Sequence, residues 1–169
     1  MIDADTAAGT LSKHPERLEE LSLKMARLLK KLHTTEFEEG KLPDAKDIMR
    51  DRMQLPLRKG LITAEDKAAI DGLIDRIPSR NTFLHLDYHP KNIMFCNNEL
   101  VLIDVGNARL GHPIADLMIT YTHCVYIARS LSGYNSEFHE RAMGLDHKTL
   151  EAVWNVMMPW NVYAELSPR

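Results

Sequence analysis

The sequence predicts an α+β fold, mostly helical, with a small β-hairpin carrying polar residues in an apolar frame. Three observations predict it. Residues 15–33 repeat apolar side chains at three-and-four spacing, residues 82–104 switch to short apolar runs, and helical spacing returns from residue 114. The stretch HLDYHPKN (85–92) lies between Phe83-Leu84 and Ile93-Met94-Phe95, and a buried strand has no use for so many polar groups.

In PERLEELSLKMARLLKKLH (15–33), Leu18, Leu21, Met25, Leu28, Leu29 and Leu32 share one stripe. Pro15 suits the first helical position, where its missing N–H costs nothing. His33 ends this helix, with its ring expected on the last carbonyls. Gly40, Pro43, Pro56 and Gly60 mark a loop around one short helix near Ala45–Met53. Thr63 and Asp66 have the spacing of an N-cap and third helical residue. They open a helix that buries Ile70, Leu73, Ile74 and Ile77 and stops before Pro78. TFLHL, NIMFC and LVLID are the strands of the hairpin region, the last two flanking Asn97-Asn98. Residues 114–131 form the next helix, with Leu117, Tyr121, Cys124, Val125 and Ala128 on one face. A final helix runs from Asp146 as N-cap to about Met158, ahead of Pro159, with Trp154, Met157, Met158 and Trp160 in core or interface.

The 169 residues read as a single domain, and 44% hydrophobic with 27% charged residues describe a globular chain. A net charge of −3 gives no basic field, which argues against nucleic acid as a partner. No apolar run approaches the ~20 residues of a membrane span, and MIDADTAAGT is not a signal peptide. Cys96 and Cys124 have apolar neighbours and no CxxC, so the expectation is a cytoplasmic protein with buried, reduced thiols.

The chemistry is in two stretches, His85 to Asn92 and Ile103-Asp104-Val105-Gly106. Together they supply an aspartate, an asparagine five residues later, and a second aspartate beyond a tight hairpin. Phosphoryl transfer needs such a set: one carboxylate for the acceptor hydroxyl, and an amide oxygen with a second carboxylate to hold magnesium against the phosphates. A hairpin between the two stretches returns Asp104 close to Asn92.

The pattern resembles the protein-kinase-like small-molecule phosphotransferases, most of all the aminoglycoside phosphotransferase and choline kinase families. Their catalytic loop reads His-x-Asp-x-His-Pro-x-Asn, matched by His85, Asp87, His89, Pro90 and Asn92. Their metal segment reads Ile-Asp-x-Gly and then Gly-x-Pro-x-x-Asp-Leu, matched by Ile103, Asp104, Gly106, Gly111, Pro113, Asp116 and Leu117. The resemblance runs over roughly residues 1–125, with the catalytic and metal segment at 82–117. It implies the mostly helical large lobe of a kinase-like fold that moves a phosphoryl group from ATP or another nucleoside triphosphate, with Mg2+, to a hydroxyl of a small molecule. Asp87 would be the catalytic base, His89 would face the transferred phosphoryl group, and Asn92 and Asp104 would bind Mg2+ and the nucleotide. His85 and Asp116 would brace the loop. Val105 departs from the aromatic residue often found there.

A kinase-like enzyme also has a small lobe, with a glycine-rich phosphate loop and a strand lysine. No GxGxxG and no such lysine stand in the first sixty residues, and MIDAD resembles the hinge between lobes, so residues 1–10 read as a hinge remnant. The expectation is a truncated chain, weak or inactive alone, whose apolar surface near residues 1–10 and the strand ends binds a small-lobe chain or a second copy. Two other readings stay open. One is a catalytically dead remnant serving as a binding module, and the other a metal-dependent hydrolase using His85, Asp87, His89 and Asp104.

Overall fold

The Thr6 hydroxyl accepts the Gly9 N–H and so turns strand β1 (Ala4–Thr6) directly into helix α1 (Ala7–Lys13). The computed structural model describes residues 4–130 and 133–158. The expected helix stop at Pro159, the placement of Trp160 and the first three residues of the hinge expectation lie outside those residues. In the rest of that stretch residues 4–6 are a strand and 7–10 are helical; the expected uncovered apolar surface is corrected here, because Ala7, Ala8 and Leu11 are buried in the core.

A short 3-10 turn led by Pro15 feeds helix α2 (Leu18–His33). Leu21, Met25 and Leu29 are fully buried, while Leu18, Leu28 and Leu32 flank them half-buried. Helix α3 (Ala45–Arg52) is capped by Asp44 and followed by α4 (Gln54–Arg58). The second of these is unexpected, because Pro56 reads as a breaker; in so short a helix it sits within the first turn, where the backbone N–H has no helical partner. Helix α5 (Ala64–Arg76) has the full capping box: Thr63 accepts the Asp66 N–H and Asp66 accepts the Thr63 N–H. Its apolar face is corrected. Only Ile74 is buried, Ile70 and Ile77 are half-buried, and Leu73 is exposed.

The sheet region is two small sheets. Strands β3 (Ile93–Cys96) and β4 (Glu99–Leu102) form the expected hairpin, with Ile93 opposite Leu102. Asn97 and Asn98 both have positive φ, the requirement of the turn that matches strand twist. Strand β1 adds antiparallel to the free edge of β3, in the order β1-β3-β4. Strand β2 (Thr82–Leu84) does not join the hairpin. It pairs with β5 (Arg109–Gly111), a strand too short to show a period of its own. Gly111 is needed there, because a Cβ would stand 2.9 Å from Ala45 Cβ at the start of α3 and 3.0 Å from Leu84 Cδ1.

Helix α6 (Ile114–Tyr121) continues through a π-helical stretch, Thr122–Tyr126, into α7 (Ile127–Ser130). Cys124 and Val125 are buried, but Tyr121 is on the exposed side. Helices α8 (Tyr134–Met143) and α9 (His147–Met157) follow, the first unexpected, the second capped by Asp146 on the Thr149 N–H. The main core lies among α1, α2 and α9, with Tyr88 of the polar loop and Ile93 of β3 reaching into it. Cys124 is buried as expected, whereas Cys96 is only half-buried. Among the described residues, no helix is long and apolar enough to cross a membrane.

Candidate active site

The loop from His85 to Asn92 leaves β2 and returns into β3, and it is held by α6 on one side and α2 on the other. Asp116, wholly buried on the first turn of α6, accepts the N–H groups of His85 (3.0 Å) and Leu86. Thr120, one turn on, donates its hydroxyl to the Tyr88 carbonyl at 3.0 Å. Tyr88 itself is buried, with its hydroxyl donating to the Met25 carbonyl at 2.6 Å. Burial, reinforced by the Asp116 charge, pushes its phenol well above the usual range, so it serves as a neutral peg. These bonds overdetermine the loop and hold Leu86, a buried branched residue, at a φ of 59°.

The loop presents Asp87 next to that constraint. Asn92 donates its Nδ2 to Asp87 Oδ2 at 2.9 Å and to the Asp87 carbonyl at 3.0 Å. With the amide nitrogen spent on Asp87, the Asn92 side-chain oxygen is what remains to meet a cation. On the other side of Asp87, Oδ1 lies 3.4 Å from Nε2 of the buried His89 and 3.6 Å from Nε2 of His123. The His89 ring holds the Asp87 carboxyl below its usual range against the opposing pull of burial, with smaller help from His123 and Asn92. Asp87 is therefore a carboxylate at neutral pH.

The second stretch is tied to the first. The Ile103 N–H donates to the Asn92 carbonyl at 3.0 Å, and Nε2 of His85 lies 3.0 Å from the Ile103 carbonyl. Hairpin register thus sets Ile103 against Asn92, with Asp104 the next residue along. Asp104 is exposed and left-handed, at φ 56° and ψ 56°, where the chain turns from β4 into the 3-10 turn Val105–Asn107. The hairpin carries Asn92 and Asp104 at its two open ends, while Asp87 stands outside it on the preceding loop.

Sequence reasoning missed His33, Tyr88, Thr120 and His123. The Nε2 of His33 lies 3.1 Å from Asp116 Oδ2 inside the protein. A signal for two of the others was present. Asp116, Thr120 and His123 recur at four and three residues, the spacing of one helix face, and all three reach the loop. His123 stands in the π-helical stretch, a distortion that frequently marks functional sites. His139 and His147 continue from it. The His139 ring stacks on His123 with centroids 6.1 Å apart, and its Nδ1 lies 3.0 Å from His147 Nε2.

The hydrolase arrangement is not assembled. His85 has its Nε2 on the Ile103 carbonyl, and among the described residues no three His, Cys, Asp or Glu side chains are placed to hold a metal ion. An Asn–Asp pair with hard oxygen donors is a different kind of site, since magnesium keeps several of its waters and asks little of the protein.

The profile of the phosphotransferase enzyme family (APH) matches residues 2–147. The chain belongs to this family. All the residues of the two stretches lie inside the matched region, and the family makes the chain a phosphotransferase in general terms. Comparison with curated proteins finds no match.

Proposed function

We propose that this chain is the large lobe of a kinase-like phosphotransferase, a single domain that moves the terminal phosphoryl group of ATP to a hydroxyl of a small molecule. The observation that supports it best is the pairing of Asp87 with Asn92, while the Asn92 backbone carries the residue before Asp104. Asn92 and Asp104 are the residues that would hold Mg2+. The ion, when bound, neutralises charge on the phosphates. Asp87, ionised and held by Asn92, orients the acceptor hydroxyl and takes its proton as the bond to phosphorus forms. In a loose transition state that transfer comes late, so a weakly basic carboxylate is sufficient and its position matters most. His89 lies on the loop beside Asp87, where it can donate to the transferred group. His85 and Asp116 act on the loop's backbone and so position Asp87.

These 169 residues hold no glycine-rich phosphate loop. A clamp on the triphosphate would come from further polypeptide, seated on the exposed Val101, Ile103 and Val105 beside Asp104. Electrostatic clamping is usually the largest catalytic term, so transfer by these residues alone is slow and rises when such a lobe is supplied, fused or separate.

Calorimetry with ATP, with and without Mg2+, and product detection by mass spectrometry test this reading. Asp104→Asn should weaken Mg2+-dependent nucleotide binding and lower the rate. Asp87→Asn should leave binding nearly unchanged and lower the rate by about 100-fold or more. Nucleotide binding indifferent to Mg2+ and to Asp104→Asn would remove the metal assignment. If a supplied lobe produces no transfer to any hydroxyl acceptor, the chain is a binding module.

A further inference from the structure

Helix α5 leaves uncovered the apolar face that its sequence prepares. Leu73 is 55% exposed, and Met118 on α6 is 50% exposed. Both line one cleft of about 620 Å³ between α3, α5 and α6. That volume is in the range of small-molecule sites, about 300–1,000 Å³. Its walls are largely apolar, with Met49, Met53, Ile70 and Ile119 among them. Two lining residues connect it to the site. Leu86 precedes Asp87 in the chain, and His123 lies 3.6 Å from the Asp87 carboxylate. Among the described residues of the lining the ionisable groups are Arg52 and His123, with no carboxylate beside them.

We propose that this cleft holds the body of the acceptor, and that the acceptor is an alcohol with an apolar body and no ammonium group. The proposal rests on the phosphotransfer reading and narrows it. An apolar wall contributes binding in proportion to the apolar area it covers, which a compact hydrophobic alcohol supplies and a hydrated amino sugar does not. An ammonium group taken into the cleft would lose water with no anionic partner in the lining and would meet the Arg52 charge. A neutral or anionic substituent suffers neither penalty. With its body against Met118 and Leu86, such an alcohol has its hydroxyl end directed toward His123 and Asp87.

The test uses the full 169-residue chain labelled at its methionine methyls, without nucleotide. The probes are 2-(2-naphthyl)ethanol and kanamycin, an uncharged apolar alcohol and a polycationic amino sugar. The naphthyl alcohol should shift the methyl signals of Met49, Met53 and Met118 and leave those of Met143 and Met157, which lie in the main core. Leu73→Glu should weaken that binding by about tenfold or more, with an unchanged thermal midpoint because the side chain is already more than half exposed, and Leu73→Met should retain it. Equal or stronger shifts with kanamycin overturn the proposal, as does the absence of shifts with the alcohol. Methyl shifts that follow protein concentration without any probe overturn it too, by giving the cleft to a second copy. The two readings fail separately. Binding of the alcohol with no transfer to it or to any other hydroxyl acceptor, in any form of the protein, defeats phosphotransfer, while transfer to kanamycin alone defeats only the acceptor class.

Discussion

Asp116 and His33 meet in the interior, with Nε2 of His33 3.1 Å from Oδ2 of Asp116, 83 residues apart in sequence. The pair joins the end of α2 to the start of α6, and the same carboxylate accepts two N–H groups of the loop before Asp87. Placement of the carboxylate in the cleft therefore depends on a residue outside it.

Asp116→Ala should cost about 3–5 kcal/mol of stability, because it removes the acceptor of two buried N–H groups and one contact of a buried histidine. Asp116→Asn keeps one oxygen and should cost less. Urea unfolding followed by circular dichroism measures both. A loss under about 1 kcal/mol for the alanine variant would show that the loop holds its shape without Asp116.

Stability should fall as the pH is lowered from 7 to 5. Burial holds the His123 and His139 rings below their ordinary value of 6.5, with charges on neighbouring histidines and on Arg52 adding to the effect. Asp87 beside His123 and Glu140 beside His139 oppose it more weakly. Below 6.5 the unfolded chain takes up protons on these rings that the folded chain refuses, so the folded state loses ground until the rings titrate in place. The window lies above the ordinary aspartate value of 3.8, so carboxylates contribute little to it. Differential scanning calorimetry of wild type and His139→Asn should show a flatter dependence in the variant. Identical slopes would mean that other groups carry it.

The two thiols should differ sharply in reactivity. Burial pushes the Cys124 thiol up to about 12, so at pH 8 its thiolate fraction is on the order of 10⁻⁴. Cys96 is half-buried in β3. A chromogenic disulfide reagent should titrate one thiol in the folded chain and the second only in urea. Rapid reaction of both without denaturant would show that the core around Cys124 opens readily.

Sequence alone determined the parts whose causes are local. The capping box at Thr63 and Asp66, the α2 stripe and the turn at Asn97-Asn98 all formed as their patterns required, since each depends on residues within a few positions of one another. The two polar stretches were legible for a related reason: an apolar frame interrupted by acids and amides is costly unless those groups have work to do. Only the tertiary structure decided the rest. Strand β5 exists because β2 offers it an edge, not because three residues have a period. The face of α5 was expected in the core, but burial needs a partner surface, and α3 and α6 stand back to leave a cleft. The contacts of His33 with Asp116 and of His123 with Asp87 span 83 and 36 positions and exist only once the chain has closed on itself. Hydrophobic periodicity reports which face turns inward, and three-dimensional packing decides what that face meets.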